Sequence, residues 1–456
     1  MERDAPPGLA EEVRGELEDD DEATTSRERR RYRRYRDDAM GRGRENVREG
    51  SRVASTPVER VVKAGFDPAP ARPPLEAIVT VVEPTLSTEA VARMRDSLWV
   101  TLLSVPHNVT ISRENQLTRE LDFFEPESDD FADADELGKD LGKKGRLPEG
   151  ETLYRFAFPD PRTGAQKRLD LEATLLPHLP DLDLIKTAGR HDTCAVVGNS
   201  GVLLQSERGA EIDAHEAVIR INYAPTQGFE KLVGSRTTYD LVNKENAGKL
   251  ARGGHKWRTG GSTVLLFEAN SVVTRRDVYP RLFEAARSQA ARSVKPLHRT
   301  IRMLAPTLVA SARTVYETIR REVEGELRAR LAAGDAADDQ AKAMLEAKQA
   351  SSVAGAEDAT PDTFEFHGKP MSGAVAVFFA LQMCSKVDLY GFDAYTALSE
   401  VPYHYFDARV AATGVHSFDL AVEAFRRISL VMPDRLELKT VGRLMAATGV
   451  GVGVSE

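Results

Sequence analysis

Cysteine is nearly missing from this 456-residue chain: only Cys194 and Cys384 occur. Two thiols with no histidine at ligand spacing exclude a cysteine-built zinc centre. Counting alone leaves them either as buried free thiols or as one bridge. A bridge would close a long loop, stabilise by about 5 kcal/mol on the chain-entropy account, and place the protein in an oxidising compartment. Also lacking is any run of about 18 apolar residues, so no part of the chain as written is expected to span a membrane. Positive charge is not in excess, since 62 Lys and Arg stand against 71 Asp and Glu for a net charge of −9. That balance speaks against a nucleic-acid module. No period of 20–50 residues recurs, which excludes solenoids and propellers. The dinucleotide fingerprint, the Gly-Lys-Ser/Thr phosphate loop and the Gly-x-Ser-x-Gly elbow are all missing, leaving the corresponding nucleotide-binding and hydrolase chemistries unsupported.

What is present begins with a charge mosaic. Residues 11–22 are mainly acidic and 27–36 are arginine-rich. Almost no large apolar side chains accompany them, so residues 1–74 are expected to be disordered. Acids flank the arginine block, which favours a solvated linker over a nucleic-acid or membrane-surface tail. No apolar stretch of the signal-peptide kind follows it. The Pro68–Pro74 stretch marks the start of folded chain, with one domain expected over 75–445 and a tail at 446–456. Asp133 and Asp135 form an Asp-x-Asp pair in an acidic stretch. Nothing apolar precedes them, so they read as an exposed loop rather than a metal pair.

From Cys194 the pattern becomes that of buried strands. Cys194–Val197 is a short apolar run followed by Gly198-Asn199-Ser200-Gly201, and Ala217–Ile221, Thr238–Val242 and Thr263–Phe267 read alike. Apolar runs ending in Gly or Asn loops imply an α/β fold with a mostly parallel, doubly wound sheet. Val315, Ile319, Val323, Leu327 and Leu331 recur every fourth residue, and an Ala-rich stretch follows at 336–350. This segment, 311–352, reads as a peripheral helical insertion in preference to a partner-binding hairpin. Ala374–Cys384 is almost wholly apolar and predicts a buried helix with Ser372 as N-cap and Gly373 in its first turn. A strand, Val387–Phe392, follows it. Such a helix N-terminus beside a Gly loop suits an anion. Nine histidines occur. His107, His178, His191, His215, His255 and His298 lack motifs and read as surface or structural residues. His404 and His416 lie twelve residues apart after the anion-binding candidate. One suits a base for a sugar hydroxyl, the other a partner for phosphate.

The order of these pieces resembles the animal-type sialyltransferases, glycosyltransferase family 29. Cys194–Val242 is similar to the large sialylmotif, through Cys-Ala-Val-Val-Gly-Asn-Ser-Gly, Glu-Ile-Asp-Ala-His, Arg-Ile-Asn-Tyr-Ala-Pro-Thr and Val-Gly-Ser-Arg-Thr-Thr. His367–Phe392 resembles the small motif, His404–Asp407 the third and the His416 region the very small one. The resemblance implies a Rossmann-like GT-A variant, a CMP-activated acidic sugar as donor, a glycan acceptor, no metal cofactor, and residence in the Golgi lumen behind a membrane anchor that this chain does not display. It pairs Cys194 with Cys384 in a disulfide. It assigns Asn199, Ser200 and Asn222 to the donor nucleotide, Ser372 and Gly373 to its phosphate or ribose, His416 to the general base and His404 to the leaving phosphate. Plant and algal relatives bring other 2-keto acids such as Kdo into question as donor. Two departures stand out. Ala421 occupies the place of a glutamate in the very small motif, with Glu423 the nearest acid, and Met371 interrupts the Pro-Ser-Thr-Gly of the small motif. These departures support an alternative, a non-catalytic member that binds CMP or a glycan partner.

Overall fold

The computed structural model describes residues 88–114, 118–119, 153–258, 261–269, 271, 273–292, 300–333, 366–393, 402–409 and 416–439. The expected disordered region 1–74, the Asp133–Asp135 loop, the Ala-rich stretch 336–350 and the tail 446–456 lie outside them. Among the described residues no helix is long and apolar enough to cross a membrane.

The described residues form two sheets. The smaller is antiparallel: β1 (Thr118–Arg119), β2 (Leu153–Pro159) and β3 (Gln166–Glu172), in that order. A hairpin joins β2 to β3, pairing Pro159 with Gln166. Its turn is built by Asp160, whose Oδ1 accepts from the N–H groups of Arg162 and Thr163. The larger sheet has seven parallel strands: β4 (His191–Val197), β5 (Ala217–Ile221), β6 (Tyr239–Val242), β7 (Thr263–Leu266), β8 (Ile301–Met303), β9 (Cys384–Tyr390) and β10 (Leu436–Leu438). Their order is β10-β9-β4-β5-β6-β7-β8. From β4 the chain winds outward to β8, then returns to lay β9 on the other side of β4. The β4–β9 boundary is therefore the point where strand order reverses, the place where open parallel sheets hold ligands beyond their carboxyl ends.

Helices cover both faces. On one face lie α1 (Thr88–Arg95), α2 (Leu98–Ser104), α5 (Pro306–Ala333), α6 (Ser372–Met383) and α7 (Phe418–Val431), packed on Cys194, Val196, Ile219, Leu241 and Leu389. On the other, α3 (Lys244–Ala251) and α4 (Tyr279–Arg292) pack on Val242, Val264 and Leu266, while Ala195, Val197 and Val218 meet Ile212, Phe229 and Tyr405. The alternation along β4 shows why the run is wholly apolar: successive side chains point to opposite, equally covered faces. This is the doubly wound α/β fold expected from the strands.

Two local expectations are corrected. Helix α5 is not peripheral: Val315, Ile319, Val323 and Leu327 are all buried in the main core. Pairs such as Glu317–Arg320 and Arg320–Glu324 lie along it, which gave its sequence the look of a solvated helix. Ser372 is not the N-cap of α6. Met371 holds that position in extended conformation without a side-chain bond, and Ser372 is the first helical residue. The burial is as expected, with ten of the 12 residues of α6 buried.

Candidate functional site

The candidate site lies beyond the carboxyl ends of β4, β5, β6 and β9. Gly198 follows β4 and Gly391 follows β9, and the two loops touch. Gly198 N–H donates to Tyr390 O at 2.7 Å, and Ser200 N–H to Gly391 O at 3.2 Å. A Cβ at position 198 would sit 2.4 Å from Gly391 O, so only glycine lets these backbones approach. Ser200 caps the short helical turn Gly201–Gln205 by accepting from Val202 N–H. Asn199 donates from Nδ2 to Ile221 O at 3.3 Å, while its buried Oδ1 has no hydrogen-bond partner. An unmet buried acceptor costs about 1–3 kcal/mol, and a hydroxyl or amine donor of a bound ligand would satisfy it.

After β5, Asn222 and Tyr223 take left-handed backbone angles, with φ 56° and 61°. Asn tolerates this region better than most residues, and Asn222 Oδ1 accepts from Asn243 N–H at 3.1 Å. The Tyr223 hydroxyl accepts from Arg258 N–H, and the Arg258 guanidinium lies over its ring, 4.7 Å from the centroid. A bidentate bond from Arg258 to buried Asp240 anchors that cation. These contacts hold the turn at the floor of the site in its unusual conformation.

The His404 segment is bound directly to the Gly198–Gly201 loop. Gly201 N–H donates to Pro402 O at 2.8 Å, and Tyr405 N–H donates to Asn199 O at 2.9 Å. The His404 ring lies between those of Tyr403 and Phe406, with centroids 4.2 and 4.7 Å away. Its Nδ1 meets Asp407 Oδ1 at 2.9 Å. Burial acts to raise the Asp407 carboxyl, yet the bond and charge of His404, aided by Arg409, hold it below the usual range. An ionised Asp407 accepts the Nδ1 proton, which leaves Nε2 as the nitrogen available to a ligand.

His416 precedes α7 and is half-buried. Its Nδ1 lies 3.1 Å from Lys369 O. A carbonyl can only accept, so Nδ1 carries the proton and Nε2 presents a lone pair. Burial pushes the imidazole below its ordinary value, and the Lys369 bond offsets this in part. The group is thus neutral at neutral pH, with the Nε2 lone pair able to take a proton. The rings of His404, Tyr403, Phe418 and His416 form a continuous series, with centroids 4.2, 5.4 and 6.1 Å apart. Ser372 and Gly373 open α6, and their N–H groups precede any intrahelical acceptor, while Ala374 N–H already donates to Met371 O at 3.0 Å. Gly373 packs against Phe392, so close that a Cβ there would be 2.8 Å from the ring. Asn199, Ser200 and Asn222 thus follow β4 and β5, Gly373 meets Phe392 just after β9, and the ring series joins His404 to His416.

Several participants were not legible as motifs. Asn243, the Lys369 carbonyl and the Tyr405 N–H act largely through backbone atoms. Asp407 lies within the His404 motif, where only its contact with the ring reveals its part. The two departures also have structural explanations. Ala421 faces the main core, and Glu423 cannot replace the missing glutamate because both its oxygens bind Arg426 and Arg427. Met371 packs against the core beside Gly373. Among the described residues, no group of three or more His, Cys, Asp or Glu is placed to hold a metal ion. The two cysteines are joined, with Cα atoms 6.0 Å apart.

A segment of 89 residues is 44% identical to beta-galactoside alpha-2,6-sialyltransferase 2 of Takifugu rubripes, covering 19% of this chain and 16% of that protein. A segment of 53 residues is 62% identical to CMP-N-acetylneuraminate-beta-galactosamide-alpha-2,3-sialyltransferase 1 of Mus musculus, covering 12% and 16%. Over 239 residues the chain is 29% identical to beta-1,6-galactosyltransferase GALT29A of Arabidopsis thaliana, covering 52% of this chain and 50% of that one. The chain thus spans half the length of the plant relative and far less of the vertebrate ones. A crystal structure of a mammalian sialyltransferase covers 77% of the chain at 18% identity, but its TM-score of 0.38 is too low to carry residue correspondences. The family model "Glycosyltransferase family 29 (sialyltransferase)" matches residues 146–309 and 357–429, more than half of the sequence, and the chain belongs to that family.

Proposed function

We propose that this glycosyltransferase-family protein transfers sialic acid, or a related acidic 2-keto sugar such as Kdo, from a CMP-activated donor to a glycan hydroxyl, with inversion and without a metal. The observation that carries the reading is His416: a half-buried imidazole, its Nδ1 proton committed to Lys369 O, with Nε2 left as a base. Asn199, Ser200 and Asn222 would hold the nucleotide, whose phosphate would lie at Ser372 and Gly373. As the donor bond breaks, negative charge grows on the CMP phosphate, where the N–H groups opening α6 would stabilise it, joined by His404 when that ring carries a proton on each nitrogen, Nδ1–H donating to Asp407 and Nε2–H to the phosphate. His416 would take the proton of the acceptor hydroxyl attacking from the opposite face, so no covalent intermediate is needed. The same reading puts the protein in the Golgi lumen, where the disulfide would form.

The test is turnover by the full chain of CMP-sialic acid, CMP-Kdo and UDP-galactose, each with EDTA present. Release of CMP from one acidic donor supports the proposal. The acid limb of its rate should fall at a pH below the ordinary imidazole value of about 6.5, because burial favours neutral His416. A second reading, galactosyl transfer, is favoured by the name of the Arabidopsis relative that aligns with half of this chain, and turnover of UDP-galactose alone would establish it. CMP binding with no turnover would select a non-catalytic role.

Gly201 offers a separate check on the donor loop. A Cβ there would meet Pro402 O at 2.5 Å and the Pro402 ring at 2.6 Å. Overpacking of this kind would push the His404 segment away, and Gly201→Ala should raise the donor KM about tenfold. An unchanged KM would separate this loop from donor binding.

A further inference from the structure

Most of helix α5 lies between residues 310 and 356, where the family match is interrupted. Glu324 on that helix is only 2% exposed, and carboxylates are seldom buried unless held. Its Oε1 accepts from Phe366 N–H at 2.7 Å and from Arg320 Nη1 at 2.9 Å. The same Arg320 nitrogen donates to Phe366 O at 3.2 Å. The ion pair thus grips both polar backbone groups of one loop residue. Arg320 is oriented in turn by two bonds to Glu317, each 2.9 Å.

From Phe366 the connection to the base is short. His367 N–H donates to Ser417 Oγ at 2.9 Å, and Lys369 provides the carbonyl that meets His416 Nδ1. Tyr316, also on α5, donates to Ser417 O at 3.5 Å. Helix packing alone requires none of this, because a buried ion pair is often no more stabilising than apolar residues of similar volume. What the polar pair adds is a fixed direction for the segment it holds.

We infer that Glu324 and Arg320 are positioning residues for His416: they hold the 366–369 segment so that the Lys369 carbonyl fixes the tautomer and direction of the imidazole. The inference rests on the reading of His416 as the base, and it extends the site to a helix outside the family match.

The experiment uses the full chain with isotope-labelled histidine, the His416 signal being assigned by its loss in His416→Ala. The unaltered protein should show His416 as a single neutral tautomer with the proton on Nδ1, and Glu324→Ala should show a mixture. In the same variant kcat should fall about a hundredfold, with the donor KM changed less than about threefold. Glu324→Gln, whose amide oxygen can still accept from Phe366 N–H, should recover most of that loss. Ser417→Ala cuts only the His367 link and should lower kcat about tenfold, deciding the matter if Glu324→Ala does not fold. A folded Glu324→Ala with normal tautomer and kcat overturns the inference, even if its melting temperature has dropped. If the unaltered protein turns over no donor, the functional reading fails, while the tautomer comparison still tests the clamp.

Discussion

Replacing His416 by alanine is expected to lower kcat by roughly two to four orders of magnitude while leaving CMP affinity within about twofold. The asymmetry follows from position. His416 hangs from the Lys369 carbonyl at the start of α7, whereas the residues assigned to the nucleotide follow β4 and β5 or open α6. On the proposed reading, removing a base from the acceptor side would lower the rate without emptying the donor site. Glu423 cannot take over, since its carboxylate is already held by two guanidiniums. Calorimetric CMP titration beside steady-state rates would read both quantities. Equal loss of binding and rate in a folded variant would remove His416 from the role of base and make it a donor ligand.

The second large effect concerns stability. Cys194 and Cys384 are both fully buried, on the adjacent strands β4 and β9, and are 190 residues apart in sequence. A link closing so long a loop stabilises by about 5 kcal/mol on the chain-entropy account. Cys194→Ala/Cys384→Ala should therefore lower the melting temperature by roughly 5–10 °C. Cys384 opens β9, at the end of the strand away from Gly391. Below the new transition the donor KM should accordingly stay near its original value. Scanning calorimetry with and without reductant gives the comparison. A melting temperature indifferent to both reductant and the double substitution would show that the bridge carries no stability.

Strands β4 to β7 and β9 of the large sheet are legible because parallel strands buried on both faces leave little room for polar residues, whereas β8 and β10, three residues each, are too short to show the pattern. Cys194–Val197 and Ala217–Ile221 are cases in point, the one charge in them being Arg220, whose guanidinium donates to backbone oxygens of Val233 and Arg236. Helix α6 was legible for the same reason. Helix α5 was misplaced because its stripe is covered by α2, α6 and α7, segments far away in sequence, while its ion pairs look like a wet surface. The β2–β3 hairpin carries a weak sequence signal because its strands mix charged and apolar residues, although Asp160-Pro161-Arg162-Thr163-Gly164 between them has turn composition. At the site, side-chain identities were legible and their partners were not. The proton on His416 is set by a peptide carbonyl, and the His404 segment is tied down by peptide groups of Asn199 and Gly201. Backbone groups carry no sequence signature, so only the fold reveals them.

The disulfide also changes the connectivity of the molecule. With Cys194 and Cys384 joined, everything between them is a covalent ring, and residues before and after it are two tails leaving adjacent strands. A single cut anywhere in that ring, including between α5 and α6, opens it without releasing a fragment. The Gly198 loop and the Gly391 loop, one inside the ring and one on a tail, would remain parts of one covalent particle until the bridge was reduced.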